Sequence, residues 1–171
     1  GRPVRAARRR RIKVVIIDSG LKGKGYESFV ATDNYQGGRL AGKRLAQVMG
    51  GTGKALMLRY AEGSASTMKR EQGFLDGIRE DGPGIKLVST NQYGGVTAES
   101  AFQASQNLLV RFGDVDGIFC PNESTTFGML RALQMARKAG KVSFVGFDSS
   151  APLVAALRKG EIDGLTVQNP F

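Results

Sequence analysis

The chain has 171 residues, enough for one ordinary α/β domain with a real core and too few for a second complete lobe. It contains no histidine, which excludes a Ser-His-Asp triad, a Cys-His pair and a His-ligated metal site. The net charge is +10, but Arg2, Arg5, Arg8, Arg9, Arg10, Arg11 and Lys13 crowd the first 13 positions, so the rest of the chain is close to balance.

Arg2 to Arg11 has helix-compatible spacing, with Val4, Ala6 and Ala7 as its apolar positions, and reads as a solvated helix face rather than a nucleic-acid arm. Ile12 to Ile17 is uniformly apolar apart from Lys13 and predicts a strand buried on both faces, ending at Asp18. Leu21 to Glu27 predicts a loop, Ser28 to Ala31 a short extended piece. Asp33 or Thr32 then caps a helix carrying Leu40, Ala41, Leu45, Ala46 and Val48 inward, stopped at Gly50 to Gly53.

From there a unit repeats. Lys54 to Tyr60 reads as a strand, followed by a helix with Met68, Phe74, Leu75 and Ile78 on its inner face, ended by Gly82-Pro83-Gly84. Ile85 to Thr90 is the next strand, Asn91 to Val96 a loop and Thr97 to Phe112 a helix. Val115 to Cys120 is a strand, and Thr125 to Ala139 a helix. Val142 to Phe147 is a strand, Ala151 to Lys159 a short helix and Leu165 to Val167 a last strand. Strands alternating with helices predict a doubly wound α/β domain with a parallel sheet.

Cys120 is the single cysteine, so no internal disulfide forms, and its apolar setting predicts a buried, inert thiol. The longest apolar run, Val14 to Ile17, is too short to span a bilayer, so export would require a targeting segment upstream. Gly50-Gly-Thr-Gly-Lys54 follows a helix and precedes a strand, the reverse of a phosphate cradle.

The strand ends carry the chemistry. Phe147 is followed by Asp148, Cys120 by Pro121-Asn122-Glu123 and Val167 by Gln168, while Arg70 falls on the first turns of the helix after Tyr60. Carboxylate, amides and guanidinium suit a neutral polyol, with hydroxyls nearby at Ser64, Ser66 and Thr67. Each also has an ordinary role: Asp148 as cap of the next helix, Asn122 as a turn residue, Arg70 in a surface pair with Glu62 or Glu71, Gln168 solvated. None is a nucleophile beside a base, which points to recognition rather than turnover and to no cofactor.

Thr32-Asp-Asn-Tyr-Gln-Gly-Gly-Arg-Leu-Ala41, Gly50-Gly-Thr-Gly-Lys54, Arg70-x-x-Gly73-Phe74, Pro121-Asn-Glu-Ser-Thr125 and Val145-Gly-Phe-Asp148 occur in an order and spacing that resembles the ribose-type periplasmic sugar-binding proteins of ABC importers. The resemblance implies one lobe of a two-lobe fold: residues 1–18 as the end of the first lobe with its crossing strand, 19–168 as the C-terminal ligand-binding lobe and 169–171 as the start of the return crossing. It implies that Arg70, Asn122, Asp148 and Gln168 face a monosaccharide. It also implies a periplasmic or lipid-anchored receptor, not an enzyme, whose partner is a membrane permease. An aromatic that the family often stacks on the sugar would fall near Tyr93 to Thr97, where this chain has Tyr93 and Val96. The alternative is the effector domain of a lactose-repressor-type regulator, which shares the fold but carries a DNA-binding helix-turn-helix.

Overall fold

The computed structural model describes residues 2–23 and 25–169. The elements in chain order are α1 (Arg2–Arg9), β1 (Val15–Ile17), β2 (Ser28–Val30), α2 (Asn34–Val48), β3 (Thr52–Arg59), α3 (Ala65–Asp81), β4 (Gly84–Tyr93), α4 (Ala98–Arg111), β5 (Gly117–Phe119), α5 (Glu123–Met135), β6 (Ser143–Phe147), α6 (Ala151–Arg158) and β7 (Gly164–Thr166). Five strands form one parallel sheet in the order β4-β3-β5-β6-β7. The direction of winding reverses between β3 and β5, and crevices for ligands open at such a switch point, outside the carboxyl ends of the strands.

The central strands bury alternate residues on opposite faces. Ala55 and Met57 of β3, Phe119 of β5, and Val145 and Phe147 of β6 pack with Ala41, Leu45 and Ala46 of α2 and Phe74 and Ile78 of α3. Leu56, Leu58, Ile118 and Phe144 point the other way, into a core closed by α4, α5 and α6. Both faces are therefore apolar, as the near-continuous apolar runs of these strands require. Phe74 stacks on Phe119 with ring centroids 4.2 Å apart.

The helices α2 and α3 approach at backbone distance. A Cβ at Gly38 would lie 2.0 Å from the Arg70 carbonyl oxygen, and one at Gly73 would lie 2.1 Å from that of Tyr35. The glycines of the Gln36-Gly-Gly-Arg39 and Arg70-x-x-Gly73 stretches are thus the condition for this contact, and they set the height of Arg70 above the sheet.

Several expectations are corrected. Ile12 to Ile17 is not a strand buried on both faces: only Val15–Ile17 is strand, paired with β2 alone, and Val15 and Ile17 are 56% and 72% exposed, because among the described residues nothing packs on their other side. Leu40 and Met68 fall on the outer sides of α2 and α3 and are exposed. β4 continues through Asn91 to Tyr93, where a loop was expected, because its pairing with β3 resumes past two register shifts. α5 begins at Glu123, earlier than expected, because Asn122 caps it, and it ends at Met135. The helix predicted over the arginine run is present as α1. Lys24 of the predicted 21–27 loop, and Pro170 and Phe171 of the expected crossing at 169–171, lie outside the described residues.

Candidate functional site

The β6 strand delivers Asp148 to the carboxyl edge of the sheet. This close packing depends on Gly146, since a Cβ there would meet Thr126 Cγ2 of α5 at 2.2 Å. Thr126 Oγ1 in turn accepts from the Phe147 amide at 3.1 Å and donates to the Asn122 carbonyl at 2.8 Å. Asp148 then turns with φ of 72°, a left-handed conformation that Asp tolerates better than most side chains.

Its carboxylate does not cap the helix that follows. Ser150 stands at the α6 N-cap, and Asp148 reaches across to α5 instead. Asp148 Oδ2 accepts from the backbone amide of Glu123 at 3.0 Å, and Oδ1 accepts from Gln168 Nε2 at 2.8 Å. The positive end of the α5 dipole and an unpaired helix amide thus hold the charge at the rim of the sheet. The Asp148 side chain stays 24% exposed, so lone pairs remain for an incoming hydroxyl.

Arg70, on the second turn of α3, is buried rather than in a surface pair. Its Nε donates to Asn34 Oδ1 at 2.8 Å and its Nη1 to the Pro121 carbonyl at 2.9 Å, while the guanidinium lies 4.0 Å over the Phe147 ring. Nη1 is 4.0 Å from Asp148 Oδ2. Burial lowers the Arg70 pKa, and the nearby charges of Asp148 and Asp18 oppose that shift. Arginine remains protonated under such a perturbation, so the edge holds a cation that feels the charge of two carboxylates.

Gln168 bridges the two halves of the edge: its Oε1 accepts from Thr32 Oγ1 at 3.2 Å while its amide nitrogen holds Asp148. Asn122 adjoins them, but its side chain is engaged as the α5 N-cap. Its Oδ1 accepts from the Thr125 hydroxyl at 2.6 Å and from the Thr125 amide at 3.4 Å, and its Nδ2 donates to Ser124 Oγ at 3.1 Å. The structure therefore brings Arg70, Asp148 and Gln168 into one network, with Asn122 at its border as a cap.

Three further residues of the edge escaped sequence reasoning. Asn34 and Thr32 orient Arg70 and Gln168, and Asp18 ends β1 with φ of 67°, near enough to act on Arg70. Asp18 repeats the pattern of Asp148, an apolar run followed by one Asp, and that pattern was the available signal.

A second cluster braces the neighbouring strand ends. Glu71, buried beside Arg70 on α3, accepts from Arg59 Nε at 2.7 Å and from the Tyr60 amide at 3.2 Å. Glu71, a partner considered for Arg70, pairs with Arg59 instead, and it does so buried rather than at the surface. Arg59 also lies 4.9 Å over the ring of Tyr93, which is 41% exposed; Val96 is exposed as well, at 65%. Cys120 is fully buried, and burial pushes its thiol pKa up, as befits an inert packing residue.

The edge is a set of hydrogen-bond donors and acceptors in a rigid frame, suited to recognition. A family model described as a periplasmic binding protein domain matches residues 1–171. The ribose import binding protein of Haemophilus influenzae is 32% identical over 170 residues, 99% of this chain and 56% of that protein. Among solved structures, the periplasmic component of an ABC-type sugar transport system from Hahella chejuensis superposes with a TM-score of 0.92 at 39% identity, covering 98% of this chain and 60% of that one. A carbohydrate transporter solute-binding protein from Agrobacterium radiobacter, in complex with D-arabinose, gives 0.90 at 32% identity, covering 99% and 59%. The chain belongs to the periplasmic binding protein family, and its five-stranded parallel sheet is one lobe of that fold. It spans a little over half the length of the relatives it matches.

Proposed function

We propose that this chain supplies one lobe of a receptor that binds a monosaccharide outside the cytoplasm and presents it to an ABC importer. The observation that carries the reading is the Asp148 carboxylate. It is held at the carboxyl edge by Gln168 and the α5 amide, faces outward, and stands beside the buried cation of Arg70. A carboxylate so placed accepts from vicinal hydroxyls, and the Gln168 and Arg70 donors serve the sugar's oxygens. Asp18 adds a second acceptor, and the exposed Tyr93 face suits an apolar sugar face. In this reading Asn122 contributes through its position at the rim, where its cap fixes the α5 amides.

The relatives named above are import receptors rather than regulators or enzymes, which supports the transport reading over the repressor alternative. The reading includes a second lobe that completes the site, because a closed cleft buries most of a small ligand, and a permease that reads the closure between lobes.

The test is calorimetric titration of D-ribose, D-arabinose and D-allose into this chain and into a version extended to the length of its relatives. Micromolar or tighter binding of one sugar to the extended form, with far weaker binding to this chain, supports the proposal. No binding to the extended form would overturn it, and equal affinity in both would overturn the two-lobe site.

A further inference from the structure

Phe147 and Asp148 run past the end of a neighbouring strand. Phe119, the last residue of β5, pairs with Val145, so β5 stops two residues short of Phe147 in register. On the β7 side the ladder continues, with the Asp148 amide donating to the Thr166 carbonyl at 2.9 Å. On the β5 side the Phe147 amide donates instead to Thr126 Oγ1 at 3.1 Å. A side chain of α5 thus replaces the acceptor that a longer β5 would have supplied. Thr126 is fully buried, and its proton goes to the Asn122 carbonyl, four residues earlier, at 2.8 Å, which leaves the oxygen's lone pairs for the Phe147 amide. The Asn122 carbonyl also accepts from the Thr126 amide at 2.9 Å and from Thr125 Oγ1 at 3.1 Å, whereas among the described residues the Phe147 amide depends on Thr126. The methyl group completes the fit: Thr126 Cγ2 stands 2.2 Å from where a Cβ at Gly146 would lie.

This strand end bears both charged groups of the edge. The Phe147 ring lies 4.0 Å under the Arg70 guanidinium, and Asp148 Oδ2 meets the Glu123 amide of α5 at 3.0 Å. We infer that Thr126 is a positioning residue for sugar recognition, an inference that rests on the receptor reading above. Without touching ligand, its hydroxyl sets the height of Phe147 and Asp148 against the α5 N-terminus, and through the Phe147 ring the place of Arg70. Thr126→Val keeps the shape and the methyl against Gly146 but leaves the Phe147 amide unpaired, so the strand end is released while the packing stays. Thr126→Ser keeps the hydroxyl and loses only the methyl.

Two measurements separate positioning from plain support of the fold. The first needs no sugar: amide hydrogen exchange of this chain, followed by NMR. In Thr126→Val the Glu123 amide should exchange faster, toward its rate in Asp148→Ala, where its acceptor is gone, and by a larger factor than the Ile118 amide within β5. Thr126→Ser should keep the original rate. The second is calorimetry with D-ribose, D-arabinose and D-allose on the protein extended to the length of its relatives. Thr126→Val should bind about tenfold more weakly at an unchanged molar ratio, and Thr126→Ser within about threefold of the unaltered protein. A residue that only supported the fold would lower the molar ratio or the Tm and leave the dissociation constant alone. Equal acceleration at Glu123 and Ile118, an unchanged dissociation constant in Thr126→Val, or a loss in Thr126→Ser as large as in Thr126→Val would overturn the inference. Should Thr126→Val not fold, Thr126→Ala set against Thr126→Ser carries the same comparison. If the unaltered extended protein binds none of the sugars, the receptor reading fails, while the exchange rates still decide whether Thr126 places Asp148.

Discussion

The Arg70 guanidinium stands 4.0 Å from Asp148 Oδ2, yet its hydrogen bonds go to Asn34 Oδ1 and the Pro121 carbonyl. The cation is thus positioned by the α2 N-terminus and the β5 end, independently of the carboxylate it faces. Asp148 has its own supports in Gln168 and Glu123. Each group is therefore held by partners of its own rather than by the other.

Arg70→Lys keeps the charge but cannot reproduce the fork that satisfies Asn34 and Pro121. With one or two buried acceptors left unpaired, the loss of stability should be about 2 kcal/mol. Urea denaturation measures it. A change below about 0.5 kcal/mol, the ordinary surface range, would show that the network does not hold the edge.

Gly38→Ala places a methyl group where the Arg70 carbonyl already stands. Overpacking of this kind costs about 1 to 3 kcal/mol. Here it should also push α2 from α3 and displace Arg70 from Asn34, so the variant should show both a lower Tm and weakened sugar binding in the extended protein. A stable variant with unaltered binding would contradict the close contact.

Much of this was legible in the chain, for physical reasons. The strands β3, β5 and β6 are apolar on both faces because helices cover both, and that reads directly from the apolar runs at 55–58, 117–120 and 144–147. Asp148 was visible because a lone carboxylate after such a run is conspicuous. The target of its oxygens was not, since the Glu123 amide is a backbone group on another helix that no side-chain pattern marks. The roles of Asn34 and Thr32 were hidden for a similar reason: they meet Arg70 and Gln168 only across long sequence separations. The Ile12 to Ile17 run reports what a strand would bury given a partner on each side, whereas among the described residues β1 pairs with β2 alone.

Glu71 gives a pH signature. Burial pushes its carboxyl up, and the bonds from Arg59 and the Tyr60 amide offset this only in part. A carboxyl raised above its unfolded value, about 4.3, makes the folded state hold the proton more tightly. Its contribution to stability is full below that value and is lost as pH rises through the folded pKa. Glu71→Gln removes the titration. The stability difference, wild type minus variant, should therefore shrink as pH is raised through the carboxylate range, as followed by denaturant midpoints. A difference that grows with pH would show instead that Arg59 dominates and depresses the group.

The most direct test of the proposed sugar-binding edge is calorimetry on Asp148→Ala in the protein extended to the length of its relatives, paired with its thermal unfolding. The carboxylate is exposed enough to tolerate removal, and the hydrogen bonds proposed for it to sugar hydroxyls would each be worth about 1.5 to 3 kcal/mol. Loss of two should weaken binding by at least about a hundredfold, with Tm changed by only a few degrees. A dissociation constant equal to that of the unaltered protein would contradict the assignment and leave Asp148 as a support for α5 and Gln168 alone.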